Sequence, residues 1–345
     1  MTRSLVALLV MLALFAMAAV SCAPSEADER KLVVYTAGPR GVAEVICDAF
    51  TAETGIAIEL FSATTGQVLA KLEAEKYNPR ADIVILASGF AAEWLKRENR
   101  LLPYHPSWLD ETHTAWHDPD DAYFATSAAA VGIAVRRDAH RPDLEWCDFF
   151  NDSASSKGRF AGRAIMPAPS RSGSSSDFVL TYMLSRDEDR VWQDFITAKR
   201  NGLEIAGANS QAITNLLIGS HDAIVGAADY LVYREIARGE PIVMHFPPSG
   251  APVITRPIAI LKSTRRAETA MRFIDHYFSE ASQARLAAVH LLPARTSTPL
   301  SAARADQPLP PTIGVNIDDV LRHQRRILRR FQYEIERASS RERTR

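Results

Sequence analysis

The chain has 345 residues, 47% of them hydrophobic, with 40 basic and 41 acidic side chains. That length exceeds one ordinary domain and supplies enough apolar residues for two cores, so two lobes are expected. The near-neutral balance leaves no cationic excess for nucleic acid, and three cysteines without a spacing motif exclude a cysteine-based metal centre.

Arg3 is followed by an apolar stretch over residues 5–20 that ends in Ala19-Val20-Ser21-Cys22. This stretch is short for a membrane span and crowded with small residues at its end, which predicts an export signal over residues 1–22. Cys22, directly after small residues, is the predicted lipidation site of a bacterial lipobox, although Ala19 stands where such boxes usually carry leucine. The alternative is cleavage near Ala23 and a freely soluble exported protein, with residues 23–30 as a polar tether in either case. Cys47 and Cys147 then remain, as a disulfide or as two small buried hydrophobes.

Residues 31–90 read as three strand-then-helix units. Short β-branched strands are expected at 32–35, 56–61 and 82–86, as in a buried parallel sheet. Each leads into a loop of Gly, Ser and Thr at 36–41, 62–66 and 87–89. Helix N-termini at such loops present unpaired N–H groups and partial positive charge, so an anion or polar small molecule would be held there. The first helix places Val42, Val45, Ile46, Ala49 and Phe50 on one face and stops near Gly55. The next carries Val68, Leu69 and Leu72, and the third turns Trp94 and Leu95 inward.

Residues 104–123, rich in Pro, Asp, His and Trp, read as an irregular covering connection. Residues 128–135 form a strand leading out of the first lobe, 143–150 a short helix and 153–163 a polar loop. A second series repeats the first. Strands at 164–166, 203–206 and 222–225 exit into a serine-rich loop at 167–176, a loop at 207–210, and a turn reaching Asp229 and Tyr230. Residues 254–261 read as a strand that crosses back to the first lobe, where a helix at 267–278 closes it. The last helix, near 316–338, carries Ile317, Val320, Leu321, Leu328, Phe331 and Ile335 on one side and arginines on the other. That pattern fits a docked helix with a solvated basic face, a membrane-binding helix being the alternative.

Several segments carry a resemblance. The run Leu32-Val33-Val34-Tyr35-Thr36, then Thr65-Gly66-Gln67-Val68-Leu69, the stretch from Glu73 to Asp82, and Gly239-Glu240-Pro241-Ile242 onward to Leu292-Pro293-Ala294-Arg295 are similar to bacterial extracellular solute-binding proteins of ABC transporters. The branch is the one holding ferric-iron, 2-aminoethylphosphonate and organophosphate binders. The resemblance implies an α/β two-lobed periplasmic binding fold of type II, each lobe a mostly parallel sheet flanked by helices. Lobe 1 would comprise residues 31–127 and 255–300 and lobe 2 residues 128–254, with 301–345 a connection, a docked helix and a basic tail. It further implies a monomeric periplasmic protein that delivers its ligand to a membrane permease, without a cofactor and without catalysis.

Iron-binding relatives typically use a histidine or acid in the first loop and an adjacent tyrosine pair in the second lobe. Here those positions read Gly38-Pro39-Arg40 and Tyr230-Leu231, which leaves Tyr230 alone for a metal. The serine loop points instead to an oxyanion such as a phosphonate or organophosphate. Ser172, Gly173 and Ser174 would face Thr64, Thr65 and Gly66 from the opposite lobe, joined by Gly38, Ser88 and Asn209. Arg40 is a candidate for bidentate anion contact, and Asp229 for a cationic end of the ligand. Helix capping is the structural alternative for each of these loop residues. Ferric iron is the alternative ligand, and a sensing partner of a membrane kinase the alternative class of function. Common hydrolase and nucleotide-binding motifs are absent from the sequence.

Overall fold

The computed structural model describes residues 31–150, 160–305, 307 and 309–337. The expected signal, tether, Cys22, most of the 153–163 loop and the end of the basic tail lie outside them. Among the described residues no helix is long and apolar enough to cross a membrane.

Lobe 1 opens with β1 (Lys31–Thr36), α1 (Arg40–Thr54), β2 (Ala57–Ser62), α2 (Thr65–Ala74), β3 (Ile83–Ile85) and α3 (Gly89–Arg97). β1 pairs in parallel with both β2 and β3. Gly55 ends α1 in the left-handed region at φ 71°, its N–H bonded to Thr51 O, a conformation that glycine adopts without a Cβ penalty. The buried face of α1 is Val42, Ala43, Ile46, Cys47 and Phe50. Val45, expected in the core, is 50% exposed, because the apolar stripe is turned by about one residue from the expected phase. Short β4 (Leu101–Leu102) follows. The irregular connection does more than cover the surface: Trp108 stacks on Phe278 with ring centroids 3.8 Å apart and donates Nε1–H to Asp275 at 2.8 Å.

Thirteen-residue β5 (Phe124–Arg136) leaves this lobe, pairing antiparallel with β10 (Val253–Leu261) over its first half and with β8 (Ala223–Ala228) and β9 (Ile242–His245) over its second. Lobe 2 then contains α4 (Cys147–Phe150), β6 (Ala164–Pro167), α5 (Gly173–Leu184), α6 (Glu188–Arg200), β7 (Glu204–Ala206), α7 (Asn209–Leu217) and α8 (Asp229–Ala237). β6 lies in parallel between β7 and β8. Helix α6, which the sequence reading did not single out, buries Val191, Trp192, Phe195 and Ala198.

The chain returns through β10 to α9 (Ala267–Tyr277), α10 (Glu280–Ala288) and β11 (Leu292–Pro293), the last pairing with β5. After α11 (Ala302–Ala305), the long helix α12 (Ile317–Phe331) and a π-helical turn at Gln332–Glu336 dock on lobe 2. Val320, Ile327, Phe331 and Ile335 are buried in the same cluster as Phe178, Val179 and Phe195. Cys47 and Cys147 are both free thiols, Cys47 buried and Cys147 exposed.

One buried pair holds the crossing point. Asp229, at the end of β8, accepts from the Ala130 N–H at 3.0 Å, where β5 passes from one set of partners to the other. Arg304 of α11 lies 2.7 Å from the same Oδ2, with exposures of 2% and 0% for the two side chains. The contact lacks good hydrogen-bond alignment at Nη2, so it is chiefly an ion pair. Arg304 also donates Nε–H to His290 O at 3.0 Å and lies over the Tyr233 ring. Removing one member of a buried pair leaves an uncompensated charge in a site that water cannot reach. Arg304→Met should lower the unfolding free energy by about 3–5 kcal/mol in a urea titration. Adding Asp229→Asn should recover much of that loss, the sign of direct coupling.

Candidate ligand-binding cleft

The exit loops of β1, β2 and β3 face those of β6, β7 and β8 across the seam between the lobes. Their small polar residues begin as helix caps. Thr64 and Gln67 form a reciprocal capping box on α2, the Ser88 hydroxyl accepts from Ala91 N–H at 3.1 Å on α3, and the Ser172 hydroxyl accepts from Ser175 N–H at 3.2 Å on α5. Three helix N-termini are thereby fixed along one seam.

The lobes touch there. A Cβ built on Gly173 would stand 2.5 Å from Thr65 Oγ1 and 2.8 Å from Ala87 O, so only glycine lets α5 come this close to lobe 1. Thr65 Oγ1 is itself held by the Ala87 N–H at 3.2 Å. Beside this contact the Asp177 carboxylate of α5 crosses to lobe 1. It accepts from the Ser88 hydroxyl at 2.6 Å and from the backbone N–H groups of Gly89 and Phe90. Burial pushes its carboxyl up to about 8, opposed by those three hydrogen bonds, which favour the ionised form. The sequence reading missed Asp177. Its signal was an acid inside the otherwise apolar helix beginning at residue 173.

On lobe 2 the serine loop and α7 build a donor cluster. Asn209 Nδ2 reaches Ser172 Oγ at 2.7 Å and Ser174 Oγ at 3.1 Å, and the two hydroxyls are 3.1 Å apart. Helix α5 begins at Gly173, several residues before the sequence suggested, which puts Gly173 and Ser174 in its first turn, where N–H groups lack intrahelical partners. The same cluster was anticipated from the serine loop, while its crosslinking by Asn209 was not.

A second missed residue is Arg256. Two residues of β5, Thr126 and Ser127, oppose this one residue of β10, a bulge fixed by the Thr126 hydroxyl donating to Arg256 O at 2.9 Å. Arg256 is buried, 4% exposed as a residue, and its guanidinium donates to Ala37 O of the first loop at 3.2 Å and lies 5.4 Å from the Tyr230 ring. It therefore spans loop 1 of one lobe and the β8 exit of the other. Among the described residues no carboxylate pairs with it. The sequence signal was an arginine inside an apolar strand immediately before Pro257.

Two expected residues are placed elsewhere. Arg40 is exposed on α1 and paired with Glu44 at 2.6 Å, a helix-surface contact. Asp229 is wholly buried, its Oδ2 held by the Ala130 N–H and Arg304, because α8 starts directly at the end of β8 instead of after a loop. Gly38 lies in the first loop with its N–H held by Thr36 Oγ1 at 2.9 Å, and Tyr230 is half-buried beside Arg256. Gly66 and Ser88 line, with Thr65, Ser172 and Gly173, a cavity of about 460 Å³ whose lining also includes Trp94 of α3 and Arg325 and Leu328 of α12. Trp94, expected inward, is half-buried on this wall. No cluster of metal-ligating side chains occurs among the described residues.

Two α/β lobes joined by shared strands, with capped helix ends and polar side chains meeting at the seam, define the class of two-lobed solute-binding proteins. The chain belongs to the bacterial extracellular solute-binding protein family, whose model matches residues 32–289. It is the extracytoplasmic solute-binding component of an ABC importer, and its partners are a small ligand and the transporter's permease. No curated protein matches the sequence. Among solved structures, the fructose-6-phosphate-bound periplasmic protein AfuA from Actinobacillus pleuropneumoniae aligns with a TM-score of 0.78 at 19% identity, over 89% of this chain and 99% of that one. A ferric binding protein from Campylobacter jejuni gives 0.75 at 18%, over 88% and 99%. Iron-bound HitA from Pseudomonas aeruginosa gives 0.72 at 17%, over 86% and 99%.

When the lobes part, Asp177 returns to water and to the ordinary carboxylate range. Closing then takes up a proton between about pH 4 and the shifted value near 8, so it becomes less favourable as pH rises through that window and level above it. Calorimetry of ligand binding at pH 6.5 in buffers of different ionisation enthalpy should show proton uptake, and Asp177→Asn should abolish it. Gly173→Ala should weaken binding about tenfold or more by holding the lobes apart, while the thermal transition of the unliganded protein stays in place.

Proposed function

We propose that the cleft captures an oxyanion, a phosphonate or organophosphate, between a lobe 1 of residues 31–127 and 255–300 and a lobe 2 of residues 128–254, the latter extended by α12. Arg256 carries this reading. A guanidinium withdrawn from water without a carboxylate is costly unless an anion completes its surroundings, and this one borders the loops of both lobes. The Ser172, Ser174 and Asn209 cluster at the start of α5 supports the same chemistry, since hydroxyl, amide and first-turn N–H donors suit the oxygens of a phosphate or phosphonate group. Tyr230 without a tyrosine at residue 231, and Gly38-Pro39-Arg40 in the first loop, argue against ferric iron. A captured anion stabilises the closed form because only there do Arg256, α5 and the loops of lobe 1 contact it together. We further propose that residues 1–22 are an export signal and that Cys22 is acylated, placing the protein at the periplasmic side of the inner membrane.

Calorimetric titration with phosphate, 2-aminoethylphosphonate, hexose phosphates and ferric citrate tests the ligand class. Binding of a phosphoryl or phosphonyl compound is expected; a coloured complex with ferric ion alone overturns the reading. Arg256→Met should weaken that binding by about 1.5–3 kcal/mol, the range for a hydrogen bond to a charged group. Ser172→Ala with Ser174→Ala should also weaken it without unfolding the protein, and unchanged affinity would remove the serine loop from the site.

A further inference from the structure

At the end of lobe 1 opposite the cleft, the starts of β1 and β3 meet the end of β10 and the turn after α2. Two hollows of about 400 and 340 Å³ open side by side there and share Pro79, Arg80, Ala81 and Ser263. Lys31, Arg80, Arg265 and Arg266 line the first, and Lys76, Arg100 and Lys262 the second. The carboxylates of this face are already engaged. Glu59 faces Lys31, Glu73 takes Lys76 and Arg100, Glu75 takes Lys71, and Asp82 takes Arg266.

The remaining cations are therefore in excess. Among the described residues Arg80 and Arg265 are exposed with no carboxylate at ion-pair distance, and the Lys262 ammonium donates to the neutral Asn99 Oδ1 at 2.7 Å. Among them stands Tyr77, 90% exposed, with Lys76 Nζ 5.2 Å from its ring centroid. A ring with an apolar body and a polar tip, set among unneutralised cations, is the side-chain set that favours the boundary between water and lipid headgroups. The described fold also begins in this patch, at Lys31, and the nine residue steps back to Cys22 span at most about 30 Å.

We propose that this face of lobe 1 rests on an anionic phospholipid surface, with Tyr77 at headgroup level and Arg80, Arg265 and Lys262 against lipid phosphates. In that pose the six residues of β1 hold the exit loops about 20 Å from the membrane, open to solute. The contact is separate from the ligand reading, because it does not involve the cleft, and comparison of anionic with zwitterionic vesicles distinguishes it from an anchor at Cys22.

The test uses the chain as processed and purified from its producing cell, with Tyr77→Trp as the reporter and the unaltered chain as background. Vesicles carry a headgroup-attached quencher in either phosphatidylglycerol with phosphatidylcholine or phosphatidylcholine alone. Quenching of the residue-77 signal should appear with the anionic vesicles, fall several-fold between low and 0.5 M salt (roughly a 4 Å screening length), and fall about as far with Arg80→Glu and Arg265→Glu combined. Equal quenching in both vesicle types, as a lipid anchor alone would give, overturns the proposal, as does its absence from both. Because the charge reversals lie on the surface, an unchanged circular dichroism spectrum separates lost contact from lost folding.

Discussion

The architecture depends on one strand being hydrogen-bonded into two sheets. β5 gives its first half to β10 and its second to β8 and β9, and the backbone changes partner at Ala130 and Val131. A strand paired on both sides of a short crossing ties the two lobes together at that point. The Asp229 carboxylate bonded to Ala130 N–H, with Arg304 behind it, stiffens that crossing at one point. Everything at the cleft is positioned relative to this line, since the six exit loops are the free ends of strands that lie on either side of it.

Closure is consequently a matter of few contacts. Gly173 against Thr65 and Ala87 sets how near the lobes come, and Asp177 against the first turn of α3 sets what holds them. A carboxylate accepting from Ser88, Gly89 and Phe90 caps a helix belonging to the other lobe, so opening leaves that helix terminus with unsatisfied donors. Arg256 works differently, because it lies between Ala37 and Tyr230 with no carboxylate at ion-pair distance among the described residues. The seam thus sets an inter-lobe carboxylate contact beside an arginine that has no carboxylate partner among the described residues.

The parts of this arrangement that are local were legible in the sequence. Short β-branched runs followed by Gly, Ser and Thr mark strands, exit loops and caps, and Thr64, Ser88 and Ser172 all sit at helix starts as that chemistry requires. The parts that depend on distant pairing were not. Asp177 meets Ser88 across 89 positions, and Arg256 is aimed by a bulge that exists only when β5 and β10 are paired. The burial of Asp229 is hidden for the same reason, since its counterion arrives from Arg304, far along the chain, and occupies Oδ2. Helix α10 escaped notice because its alanine-rich sequence gives little contrast between faces.

The two hydrophobic cores are interleaved along the chain. Lobe 1 is completed by Ile258, Phe273 and Leu291, and lobe 2 by Val320, Phe331 and Ile335 of the final helix. A polypeptide emerging amino end first can therefore finish neither core until most of its length is available, and lobe 2 closes last of all. Contacts this remote make for slow folding. The apolar side of α12 is thus the last piece of the lobe 2 core in chain order.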